Sequence, residues 1–283
     1  MSRHVYARLI WAPILYLALS LGVAVFIFLR NSLYTSAGFG SIVATVSASN
    51  FQKLVSDSYY AEVLGETILV SFIVVVISAC LSLPIALYLR HFSTARARIY
   101  LVIVVASSAM SLVVRALGWI SIMNDNGPIN GLLKALHLIE TPIAMIGTNG
   151  AIITGLVHGF VPVFVLTLFP VTQAIDRSVE QAAEGLGASR WQTLFTVLIP
   201  LSMPGLVSAS LITFAMCMGA YTTPALLAGG KAMLFPILIQ QQAMVVLNYP
   251  MAATLAFVLT IIVLGITWSS LAAARYFEPK EAR

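Results

Sequence analysis

Residues able to do chemistry are few and scattered in this 283-residue chain. His4, His91, His137 and His158 stand far apart, without the spacings that bring imidazoles onto one metal ion. The nearest approach to a phosphate loop is Ala-Gly-Gly-Lys-Ala at 228–232. A nucleotide-binding loop needs Gly-x4-Gly-Lys-Ser/Thr, and here Ala225 replaces the first glycine and Ala232 the hydroxyl residue. No HExxH, catalytic carboxylate pair or nucleophile elbow occurs. Cys80 and Cys217 lie inside apolar runs and read as small buried hydrophobes. The chain is therefore expected to catalyse nothing and to hold no metal or cofactor.

Composition says what the chain does instead. It is 60% hydrophobic and 9% charged, with a mean hydropathy of +0.97, whereas a soluble domain has about 25% charged residues. Such a chain belongs in a membrane, as one transmembrane domain over residues 1–283. The net charge of +5 does not point to nucleic acid, because the basic residues stand singly at the ends of apolar runs.

A bilayer crossing needs about 20 mostly apolar residues. Six stretches qualify, at 9–29, 64–89, 99–122, 150–172, 201–220 and 251–274. The first is too long for a signal peptide and is read as a retained span. The expected fold class is all-α and integral to the membrane, with six transmembrane helices. With the N-terminus inside, the inner segments hold Arg3, Arg8, Arg90, Arg96, Arg98, Arg177, Arg190, Arg275, Lys280 and Arg283. The outer segments hold Arg30, Lys53, Lys134 and Lys231. The positive-inside rule then places both termini and the 173–200 segment in the cytoplasm.

Within the spans the chemistry is sparse. Arg115 sits about 24 Å along a straight helix from Ile99, in the outer third, where its head can snorkel. It either lines a pathway or gate, or reaches headgroups or the carbonyls of a neighbouring helix. His158 either bonds a neighbouring backbone or lines the pathway. Trp119 and Tyr221 fit an aromatic belt or a ring contact with an organic cation. Asp125 caps a turn or meets a partner in an outer loop. The apolar stretch 221–250, with a turn at Gly229-Gly230 and a helix through Gln240–Gln242, is either an outer gate or a surface helix. Glu62 and Glu66 lie only at the outer end of the second span, which leaves an ion-coupled carrier without mid-membrane carboxylates.

One polar segment between spans is unlike the other loops: Ser-Val-Glu-Gln-Ala-Ala-Glu-Gly-Leu-Gly-Ala-Ser-Arg-Trp-Gln, from Ser178 to Gln192. Ser178 with Gln181, and Ser189 with Gln192, have the form of capping boxes. Gly187 stands where a helix needs a left-handed end. The pattern predicts helix, glycine turn, helix. Val179, Ala182, Ala183 and Leu186 form one smooth face of the first, rimmed by Arg177, Glu180, Glu184 and Arg190. Trp191, Leu194, Phe195 and Leu198 form a bulky face on the second, expected to pack on the bundle. A smooth amphipathic helix suits a groove on a partner or the lipid interface.

The run "QAAEGLGASRWQTLFTVLIP" resembles the cytoplasmic loop of permease subunits in binding-protein-dependent ABC importers. That signature is Glu-Ala-Ala, three residues, Gly, nine residues, then Ile-x-Leu-Pro. Ala182, Ala183 and Gly187 match, Val197, Ile199 and Pro200 close the pattern, and Gln181 replaces the glutamate, with Glu180 just before it. "SLVVRALGWISIMNDNGPINGLL", "VHGFVPVFVLTLFPVTQAIDRSVEQAAEGLGAS" and "YTTPALLAGG" are similar to the polyamine branch, so that residues 60–275 would be the permease core. The resemblance implies a type I importer permease fold with a coupling helix in the 173–200 loop, and ATPase docking through Glu180, Gln181, Ala182, Ala183 and Gly187. It also implies ATP hydrolysis by a partner ATPase dimer, a second homologous permease, a periplasmic binding protein and a place in a bacterial inner membrane. Polyamines are the implied solute, with other organic cations, opines, phosphonates or ferric iron as alternatives.

Overall fold

Lipid offers backbone groups no hydrogen-bond partners, so a spanning chain must satisfy them within helices. The computed structural model describes residues 3–38, 40–92 and 94–277 and is built almost entirely that way. Its long helices are α1 (Arg3–Ser32), α3 (Ser58–Leu89), α7 (Asn149–Gln173), α10 (Ile199–Met218) and α13 (Tyr249–Phe277). Five described helical segments are long and apolar enough to cross a membrane. A sixth crossing exists if one sharply bent pair is counted together.

That bent pair corrects the expectation of an unbroken span at 99–122. Helix α4 (Thr94–Ser108) breaks before helix α5 (Leu112–Met123), and the chain bends by 83° between Ala95–Ser108 and Leu112–Ala135. No proline or glycine marks the break. Instead the hydroxyls of Ser107 and Ser108 return to the carbonyls of Val104 and Val105, both at 2.7 Å. Such side-chain bonds compete with the helical ladder and bend it. A second departure from an all-helical chain is a short antiparallel hairpin, β1 (Thr35–Gly38) with β2 (Ser41–Val43). Helix α2 (Ser49–Ser56) follows it.

The chain divides into two compact units. The first comprises Met1–Leu64 and Phe235–Leu264. Here Asn50 donates from Nδ2 to the carbonyls of Ser32 (2.9 Å) and Tyr34 (2.8 Å), fixing α2 under the end of α1. Phe51 meets Phe257 edge-on, with centroids 6.4 Å apart. This unit also holds α12 (Phe235–Met244), which contains the three glutamines.

The second comprises Gly65–Leu234 and Gly265–Arg283. Helices α7 and α10 form its close-packed centre. At Gly205 an added Cβ would lie 2.8 Å from Val171 Cβ, so only glycine admits this approach. Small residues at helix contacts are the usual device in lipid, where hydrophobic burial gives little drive. Ser82 donates to Val161 O (3.4 Å) and Thr172 to Ala86 O (3.3 Å), joining α3 to α7. Helix α6 (Pro128–Ala135) begins with proline, whose missing N–H costs nothing there. Fully buried Asn130 bonds Asn124 O and both the N–H and carbonyl of Ile143, while Asn124, not Asp125, caps the turn. Helix α11 (Thr222–Leu227) lies buried beside α5 and α7.

The terminal residues Lys280 and Arg283, which enter the orientation argument, lie outside the described residues.

Candidate functional site

The segment after α7 folds as helix, glycine turn, helix. Helix α8 (Arg177–Gly185) is capped by Asp176, not by Ser178. The Asp176 carboxylate accepts from the Ser178 backbone N–H at 2.8 Å. That bond, with help from the Ser178 hydroxyl, holds its carboxyl below the usual aspartate range. The end of α8 is a Schellman motif: Ala188 N–H bonds Ala183 O and Gly187 N–H bonds Glu184 O. Gly187 takes a φ of +87°, which a residue with a Cβ rarely adopts. Ser189 and Gln192 form the expected capping box and open α9 (Arg190–Thr193). A wide turn of π type, Leu194–Leu198, then leads into α10. Pro200 has no N–H to give Thr196, and its ring would crowd that carbonyl in a tight helix.

Helix α8 has two unlike faces. Gln181 and Ala182 are exposed, Ala183 is half-buried, and Leu186 is 90% exposed. This smooth side is largely exposed among the described residues. Glu180, expected in the rim, turns the other way. Its Oε2 lies 2.6 Å from Arg90 Nη2, and its Oε1 lies 3.6 Å from His91 Nε2. One turn earlier, Arg177 donates to the backbone carbonyls of Arg90 (3.1 Å) and His91 (3.0 Å). The bulky face also differs from expectation. Leu198 is buried, but Trp191 (71%) and Phe195 (62%) are exposed and stack on each other, centroids 6.3 Å apart.

The four pathway candidates fall into two pockets, each of about 440 Å³. Arg115 and Tyr221 line one, with Gly155, Gly159 and Thr223. Arg115 does not snorkel: it is 5% exposed, and its Nη2 donates to Ser107 O (2.9 Å), Ser108 O (3.4 Å) and Met110 O (3.3 Å). It thus caps the broken end of α4, where orphan carbonyls carry partial negative charge. Gly159 makes room for it, since a Cβ there would sit 2.9 Å from Arg115 Nη1.

Trp119 and His158 line the other pocket. The indole N–H donates to His158 Nδ1 at 3.1 Å, and the rings meet edge-on at 5.7 Å. His158 therefore takes its bond from a side chain, not a backbone. Because indole can only donate, the neutral imidazole carries its proton on Nε2. Nothing in the sequence links Trp119 and His158, because the contact joins helices 39 residues apart.

No group of His, Cys, Asp and Glu able to hold a metal occurs among the described residues. Glu66, one of the two outer acids, accepts from Asn149 Nδ2 at 2.6 Å.

Residues 73–283 match the family described as the binding-protein-dependent transport system inner membrane component. The chain belongs to this family. It is a transport permease and spans a membrane. Among characterised relatives, it is 28% identical over 246 residues to the spermidine/putrescine transport system permease protein PotB of Salmonella typhimurium (strain SL1344), covering 85% of both chains. Among solved structures, a chain of a bacterial ABC transporter involved in import of the acidic polysaccharide alginate superposes with a TM-score of 0.74 at 15% identity, over 97% of this chain and 96% of that one. A chain of the MetNI methionine ABC transporter, in inward-facing form, gives 0.58 at 20% identity over 82% of this chain and 99% of that one. The fold is that of type I ABC importer permeases.

Proposed function

We propose that this chain is one of two permease subunits of an ATP-driven importer that carries a polyamine, such as putrescine or spermidine, across a bacterial inner membrane. A periplasmic binding protein delivers the solute, and two copies of a cytoplasmic ATPase supply the energy. Residues 60–275 act as the permease core and the 173–200 loop as its coupling element. The observation that carries this reading is α8, a short capped helix with its smooth side bare, in a chain of this transport family. The polyamine is supported by the likeness to PotB over most of both chains.

In this reading Gln181, Ala182, Ala183 and Gly187 seat α8 in a cleft of the ATPase. Without long side chains the two backbones approach closely. ATP binding closes the ATPase pair, and α8 moves as a rigid body, switching the bundle from inward- to outward-facing. The ATPase hydrolyses the nucleotide, and this chain needs no cofactor. Gln181 leaves the ridge uncharged, and Glu180 is held to Arg90. Arg115 holds three carbonyls at the end of α4 through its Nη2, so in this reading it supports the broken helix and does not contact the solute.

The test is uptake of labelled putrescine into proteoliposomes holding both permeases and the ATPase, with the binding protein added outside. Uptake should require internal ATP and survive an uncoupler. Uptake driven by an ion gradient without ATP would overturn the importer reading. Competition by an opine or a phosphonate, but not by spermidine, would overturn the polyamine.

A further inference from the structure

The ion pair between Arg90 and Glu180 has a place in the cycle. Arg90 follows the last residue of α3, a 32-residue helix that crosses the membrane in one piece. Its side chain is 2% exposed, and Glu180 is 22% exposed, so solvent screens the pair little. Arg177 and Glu180 are three residues apart on α8 and so share one face. The two joints they make are chemically different. Glu180 takes the Arg90 guanidinium, and Arg177 takes the carbonyls of Arg90 and His91, which have no helical partner at the end of α3. A single joint can pivot; two joints a helical turn apart resist both sliding and rotation. Thr172, just before α8, adds a bond to Ala86 O one turn back along α3.

We infer that Arg90 is a positioning residue: with Glu180 and Arg177 it clamps α8 to the foot of α3, so that displacement of the coupling helix is delivered to α3 as well as to α10, to which α8 is joined through the Gly187 turn and α9. The smooth side of α8 faces the ATPase and the charged side faces the bundle. One short helix thus receives on one face and transmits on the other. The inference rests on the importer reading above and names the route by which its force enters the membrane.

The test uses the complete reconstituted transporter. Arg90→Gln should leave assembly and ATP hydrolysis in place and lower solute moved per ATP hydrolysed at least tenfold. Arg90→Lys, which keeps the charge, should recover most of that ratio. Glu180→Gln should behave like Arg90→Gln, and the exchange variant Arg90→Glu with Glu180→Arg should transport better than either single variant. A wild-type ratio in Arg90→Gln would overturn the clamp. So would a loss of uptake that merely tracks the loss of assembled complex and is not recovered in the exchange variant, because a role in folding alone predicts that. If the wild-type complex itself fails to couple uptake to ATP, the importer reading fails first, and the two failures are told apart by that control.

Discussion

Gly187 is constrained by its backbone and not by its surroundings. Its φ is +87°, and nothing lies within 4 Å of an added Cβ. Substitution should therefore scale with tolerance of the left-handed region and not with size. Gly187→Asn should leave uptake near wild type, Gly187→Ala should cost α8 about 1–2 kcal/mol, and Gly187→Val should cost more and lower uptake further. Uptake and complex yield across the three check this ranking. The glycine is readable in the sequence because a Schellman end is a local pattern, and so is the Ser189–Gln192 box. The start of α8 is not, because Asp176 and Ser178 can both cap, and only the backbone decides that Asp176 lies outside the helix. The Arg90–Glu180 pair is out of reach for another reason: ninety residues separate the partners, and no local spacing records that.

At the scale of elements, five of the spans are legible because long apolar runs in lipid have one solution. The broken one is not. Residues 107–111 lack proline and glycine, and the serine cluster that bends the chain gives no hydrophobic signal. The available clue is Arg115, an arginine in a span with no acid near it in the sequence. It marks a place where helix-end carbonyls needed a cation. The neighbouring contact of α11 with α7 depends on Gly155. A Cβ there would clash with Leu227 Cδ1 and fall 2.9 Å from Thr223 Cγ2. Gly155→Ala should overpack this contact by about 1–3 kcal/mol, seen as a lower Tm of the solubilised complex. An unchanged Tm would mean that Leu227 can swing aside freely.

The molecule leaves large apolar surfaces bare. Residues 13–31 of α1 are not buried in its unit, and Leu186, Trp191 and Phe195 stand out beside α8. Lipid suits the first, whereas the second is the surface that the proposed ATPase docking would cover. With Cys80→Ala and Cys217→Ala as background, Ala182→Cys should crosslink to a cysteine in the cleft of the co-expressed ATPase. Failure to crosslink anywhere along that cleft would remove α8 as its seat. The π-type turn at Leu194–Leu198 bears on the same geometry. It holds one residue more than a regular helical turn, and each residue in a helix turns its successor by about 100°. The compass bearing of α8 around the α10 axis is therefore set by counting: dropping a single amino acid from this stretch would leave every side chain of the ridge intact and aim it at the wrong neighbour.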